Sequence, residues 1–114
     1  MILPPNAITH RLKQLGVRPD KYLGQHFLVD PSVMDLIVAT AQSFLRPDDT
    51  ILEVGPGLGV LTDELVQLAK PVMAIEKDPV FAAGVAAFIG SPRNLSVITG
   101  DVLTELDTNV SIQQ

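Results

Sequence analysis

The stretch from Thr50 to Gly59 limits the folds open to this chain more than any other. Ile51, Leu52 and Val54 surround a single acid, Glu53, and three glycines follow at alternate positions, Gly55, Gly57 and Gly59. A short apolar run ending in glycines reads as a buried strand, and the apolar periodicity that begins at Val60 reads as a helix. Strand, glycine-rich turn and helix open a βαβ unit, in which a ligand approaches the backbone more closely than side chains would allow. Alone, the same glycine pattern also suits an ordinary turn, so the segments around it decide its meaning.

Residues 7–15 are expected to form a short helix, with Asn6 as its N-cap, Ile8, Leu12 and Leu15 on one side and Gly16 at its stop. Asp30-Pro31 offers a cap followed by proline at the first helical position. The helix it opens runs to about Leu45, with Val33, Ile37, Ala41 and Phe44 inward. Beyond the glycines, 60–70 reads as a helix with Leu61, Leu65 and Leu68 inward, ended by Pro71. Val72–Ile75 is a second buried strand closed by Glu76-Lys77-Asp78. Asp78-Pro79 then caps a helix to about Ile89 that Gly84 weakens. Leu95–Thr99 is a third strand, Val102–Leu106 one helical turn, and 107–114 a polar tail. This order predicts an α/β fold with parallel strands in the order 3-2-1 and flanking helices, half of a doubly wound sheet. The outer side of the first strand would then be a bare apolar edge.

With 114 residues, 46% of them apolar, the chain suits one domain with a real core. No apolar run approaches the roughly 18–20 residues that span a bilayer, and the N-terminus lacks the apolar core of a secretory signal. No membrane partner is expected. The absence of cysteine excludes disulfides, thiolate metal sites and cysteine nucleophiles, and a reducing cytoplasm is the expected setting. Net charge is −5 but unevenly spread. Arg11, Lys13, Arg18 and Lys21 face one acid, Asp20, through Leu28, whereas four basic residues face twelve acids afterwards. Such an arm suits phosphate contacts, or equally a solvated basic helix with no partner.

Three acids end the three strands: Glu53, Glu76 and Asp101. Parallel strands would bring them to one rim, where open α/β sheets bind ligands. A carboxylate at Glu76, 19 residues beyond Gly57, can accept from both hydroxyls of a ribose. Asp101 can accept from the exocyclic amine of an adenine. A dinucleotide fingerprint requires Gly-x-Gly-x-x-Gly, but here the third glycine comes one residue early and Pro56 removes an N–H. Glu53 before the turn would repel a diphosphate and suit a cationic ligand. S-adenosylmethionine, which carries an ammonium and a sulfonium and no phosphate, fits those electrostatics better than NAD.

The runs Lys21-Tyr22-Leu23-Gly24-Gln25-His26-Phe27-Leu28, Glu53 through Thr62, Glu76-Lys77-Asp78 and Gly100-Asp101 resemble the KsgA-type family of small-subunit rRNA adenine N6,N6-dimethyltransferases. The likeness covers roughly residues 8–103 in order and spacing, and extends less closely to erythromycin-resistance methyltransferases. It implies a truncated Rossmann-like S-adenosylmethionine-dependent methyltransferase fold, with residues 1–28 as basic arm and cofactor-contacting loop, 29–106 as partial methyltransferase domain and 107–114 as tail. By the resemblance His26 and Leu28 flank the methionine end of the cofactor, and Gly55 and Gly57 pass beneath it. Glu76 holds the ribose and Asp101 the adenine amine. The implied partner is small-subunit ribosomal RNA in an immature ribosomal subunit; no metal is implied.

Two features depart from the family pattern. His26 stands where asparagine is usual; a cationic imidazole near a sulfonium would weaken binding. The family's Asn-Leu-Pro-Tyr type tetrapeptide, whose carbonyl oxygens hold the adenine N6 protons for in-line attack on the methyl group, has no counterpart at Asn6, Asn94 or Asn109. The 114 residues are therefore expected to form a cofactor cleft without the catalytic clamp, and not to methylate unaided. The alternatives are a non-catalytic rRNA-binding or ribosome-assembly module using Arg11–Lys21, and a dinucleotide-binding oxidoreductase fragment, which the glycine spacing disfavours.

Overall fold

The computed structural model describes residues 5–16 and 31–108. The Lys21–Leu28 motif, with His26 and Leu28, and the Asp30 cap lie outside the described residues. Within them the chain forms α1 (Pro5–Gln14), α2 (Pro31–Phe44), β1 (Ile51–Val54), α3 (Val60–Val66), β2 (Val72–Glu76), α4 (Pro79–Phe88), β3 (Leu95–Thr99) and α5 (Val102–Thr108). The strands pair in parallel in the order β1-β2-β3, as the alternation of strand and helix predicts. The register sets Val54 beside Ile75 and Glu76 beside Thr99, so the C-terminal ends of the strands form a common rim.

Local chemistry accounts for the start of α4, and tertiary contacts for the end of α3. Asp78 is the N-cap of α4: its Oδ1 accepts from the Val80 N–H at 2.9 Å, and Pro79 fills the first turn, where an N–H would lack a partner. α1 starts at Pro5, so Asn6 lies inside the helix and not at its cap. α3 stops at Val66, short of the expected Lys70, with Ala69 in the left-handed region at φ 59°. Tertiary bonds explain this. The Asn94 amide donates to the carbonyls of Val66 and Lys70, both at 2.9 Å, and ties the connection to the sheet. α5 runs through Thr108 and takes in the first two residues of the expected tail.

The core lies between the sheet and the helices. Val72, Ala74 and Ile75 of β2, the central strand, are buried with Leu65 of α3 and Phe81, Ala82 and Val85 of α4. α2 packs on α3; its Met34 is fully buried, and of the residues expected inward Ile37 and Ala41 are half-buried while Val33 and Phe44 are exposed. β1 also departs from expectation. Leu52 and Val54 are 41% and 57% exposed, and Glu53 is the strand's buried side chain. β1 is an edge strand: Leu52 and Val54 share its open face, whereas Glu53, with half-buried Ile51, lies on the face that α3 covers.

The glycine turn is built from left-handed residues: φ is 71° at Gly55, 57° at Gly57 and 80° at Gly59. Gly59 is also a close approach, because a Cβ there would stand 3.0 Å from Val85 Cγ2. A Cβ at Gly55 would meet nothing within 4 Å. Gly59→Ala is therefore expected to lose about 2 kcal/mol in urea unfolding, combining left-handed strain with overpacking. Gly55→Ala should lose only about 1 kcal/mol, from strain alone.

Candidate functional site

A hollow of about 240 Å³ opens at the C-terminal rim of the sheet, lined by Val54, Gly55, Ile75, Glu76, Asp101 and their neighbours. β1 delivers Gly55 to it, the end of β2 delivers Glu76, and the turn after β3 delivers Asp101. The Glu76 carboxylate is almost fully buried and bridges two loops. Its Oε1 accepts from the Gly57 N–H at 3.3 Å and its Oε2 from the Asp78 N–H at 3.0 Å. Glu76 ends β2 one register step beyond Val54, level with the turn, so its side chain reaches across to Gly57. Asp101 is exposed, and its Oδ1 accepts from the Leu103 N–H at 2.9 Å, starting α5. It is both a cap and part of the hollow's wall.

Of the residues singled out in the sequence, Gly55, Glu76 and Asp101 come together at this hollow. Gly57 touches it only through its bond to Glu76, and His26 and Leu28 lie outside the described residues. Glu53 departs from the expected common rim. It sits inside the ladder opposite Ala74, 7% exposed, and Thr62 Oγ1 donates to its Oε1 at 2.5 Å. Burial pushes its carboxyl from the ordinary 4.5 up to about 7, and the Thr62 hydrogen bond acts in the opposite sense. Glu53 thus fastens β1 to α3 and does not face a ligand. The signal was present: Thr62, nine residues on, lies one turn from Leu65 and Val66 inside an apolar helix.

The turn's N–H groups are largely engaged. Gly55 N–H donates to Ile75 O at 2.8 Å, Gly57 to Glu76 and Gly59 to Pro56 O at 2.9 Å, while Pro56 has none. A diphosphate would find few free donors here and a carboxylate beside it. Arg11, which charge left open between a phosphate contact and a solvated side chain, is half-buried and points inward. Its Nη1 donates to Leu58 O at 2.5 Å and its Nη2 to Phe88 O at 3.2 Å. Its spacing, three beyond Ile8 and four before Leu15, already put it on the apolar side of α1. Among the described residues no group of three His, Asp or Glu stands close enough to hold a metal ion, and no helix is long and apolar enough to cross a membrane.

A three-stranded parallel sheet with a glycine turn after β1 and carboxylates at the ends of β2 and β3 defines the Rossmann-like methyltransferase class. A putative O-methyltransferase from Klebsiella pneumoniae shares the fold at TM-score 0.65 and 16% identity, over 96% of this chain and 50% of that one. The 23S rRNA methyltransferase ErmE is similar at TM-score 0.61 and 39% identity, over 69% of this chain and 32% of that one. Within the class, the chain belongs to the ribosomal RNA adenine dimethylase family, whose model matches residues 18–112. Ribosomal RNA small subunit methyltransferase A of Streptomyces griseus is 47% identical over 77% of this chain and 30% of its own length. The Thermobifida fusca protein of the same name is 40% identical over 92% and 38%. The chain spans about a third of the length of these curated relatives.

Proposed function

We propose that these residues form the S-adenosylmethionine seat of an rRNA adenine dimethyltransferase, acting on N6 of adenines in small-subunit ribosomal RNA. The observation that carries the reading is the hollow itself, lined by Gly55, Glu76 and Asp101, beside a turn whose N–H groups are largely engaged. Both carboxylates are acceptors and suit a ligand that presents hydroxyls and an amine. Glu76, held by two backbone N–H groups, is oriented before ligand arrives and accepts from the ribose hydroxyls. Asp101 accepts from the adenine amine, and Gly55 and Gly57 leave room for the nucleoside to lie against the backbone. The cofactor supplies the methyl group. In the reading of these 114 residues as a cofactor seat, His26 and Leu28 flank the methionine end, and the 114 residues carry no tetrapeptide clamp to present adenine N6.

Calorimetric titration separates this reading from a dinucleotide site. S-adenosylmethionine is expected to bind at least about tenfold more tightly than NAD, a difference of about 1.4 kcal/mol. Equal or tighter NAD binding overturns the assignment. The same preparation, given tritiated S-adenosylmethionine and immature small-subunit RNA, is expected to transfer no label, and incorporation above a protein-free control would refute the cofactor-seat-only reading.

A further inference from the structure

The contact between α1 and the glycine turn is more elaborate than burial of one helix requires. Leu12 is fully buried against Leu58 and Phe81, with Leu15 and Phe88 packed around them. Gly84 makes the approach possible, since a Cβ there would stand 2.7 Å from Leu15 Cδ2. Over this apolar seat lies the Arg11 guanidinium, 4.9 Å from the centre of the Phe88 ring. It joins two separate pieces of backbone, the carbonyl of Leu58 within the turn and that of Phe88 at the end of α4. Burial lowers the guanidinium's proton affinity, and the Asp63 carboxylate in the first turn of α3 opposes that effect. Arginine keeps its charge regardless.

Leu58 lies between two left-handed glycines, and the Gly57 N–H on its other side is the one that Glu76 receives. We propose that Arg11 is a positioning residue for the glycine turn: through the Leu58 carbonyl it holds the conformation that directs the Gly57 N–H onto Glu76. A turn of three φ-positive glycines has many alternatives open to it, and a planar donor fixed at both ends selects one of them. α1 therefore works as a brace on the wall of the hollow. The consequence for ligand binding rests on the S-adenosylmethionine reading above; the consequence for the turn does not.

Amide hydrogen exchange followed by NMR on the ligand-free 114-residue chain tests the brace. In Arg11→Ala the Gly57 and Gly59 amides are expected to exchange about tenfold faster relative to Ala74 and Ile75 of β2, and in Arg11→Lys about threefold, because one donor remains. A uniform rise across turn and strand, or no rise at the turn, would mean that Arg11 only adds general stability, and the proposal fails. Should Arg11→Ala not fold, Arg11→Lys carries the same comparison. S-adenosylmethionine affinity is expected to fall about tenfold in Arg11→Ala. If the unaltered chain binds no S-adenosylmethionine, the functional reading fails, while the exchange ratios still decide the role of Arg11.

Discussion

Replacing Glu76 with alanine is expected to lower S-adenosylmethionine affinity about a hundredfold, because two hydrogen bonds to a charged acceptor are lost at roughly 1.5 kcal/mol each. The carboxylate also holds the turn through Gly57 and the start of α4 through Asp78, so its removal loosens the seat as well as the grip. Glu76→Gln separates these contributions. One side-chain oxygen can still receive Gly57, but the amide nitrogen then faces the Asp78 N–H, and an intermediate loss of about tenfold is expected. Calorimetry at fixed ionic strength measures both. Binding by Glu76→Ala within about threefold of the unaltered chain would remove Glu76 from the ligand site.

The second large effect concerns Glu53 and pH. Its carboxyl is raised from 4.5 to about 7 by burial, so between these values the folded chain keeps a proton that the unfolded chain has released. Stability from this group accordingly falls as pH rises from about 4.5 to about 7 and is level above. The total is about 3 kcal/mol, from the shift at 1.36 kcal/mol per pH unit. Glu53→Gln keeps an acceptor for Thr62 and abolishes the titration. The variant is expected to gain on the parent across that window in urea unfolding, and to exceed it at pH 8 by about 3 kcal/mol more than at pH 4. Parallel stability curves for the two proteins would show that Glu53 stays ionised in its buried site.

Much of this architecture was legible in the sequence, and the failures have identifiable causes. β2 and β3 were readable because short apolar runs end at Glu76-Lys77-Asp78 and Gly100-Asp101, and Asp78-Pro79 marked a helix start without ambiguity. The inward face of α2 was readable only in part, at Ile37 and Ala41 but not at Val33 and Phe44. Val33, Met34, Leu36, Ile37 and Val38 surround the helix with apolar side chains, so no stripe was unique, and in the fold it is Met34 that is fully buried. The early end of α3 depended on Asn94, 28 residues from Val66, a contact that no local propensity records. The site divided along the same line. Gly55, Glu76 and Asp101 could be placed because strand ends in a parallel sheet share a rim. The direction of Glu53 depended on which face a helix would cover, and that of Arg11 on whether charge or spacing prevailed.

The Asn94 tether leaves the two ends of the sheet chemically unlike. At the entry end most of the joins are between carbonyls and amides: Ile51 N–H to Pro71 O, Val72 N–H to Asn94 O, and the Asn94 side chain to Val66 and Lys70, with one charged donor, the Lys70 ammonium, on Pro47 O at 2.7 Å. At the exit end stand Glu76, Asp78 and Asp101. Dissolved salt screens charges and leaves neutral pairs nearly untouched. The anchorage of the ribbon, resting mostly on neutral pairs, is thus less sensitive to ionic conditions than its opposite lip, and the scaffold keeps its alignment while the mouth adjusts to its medium.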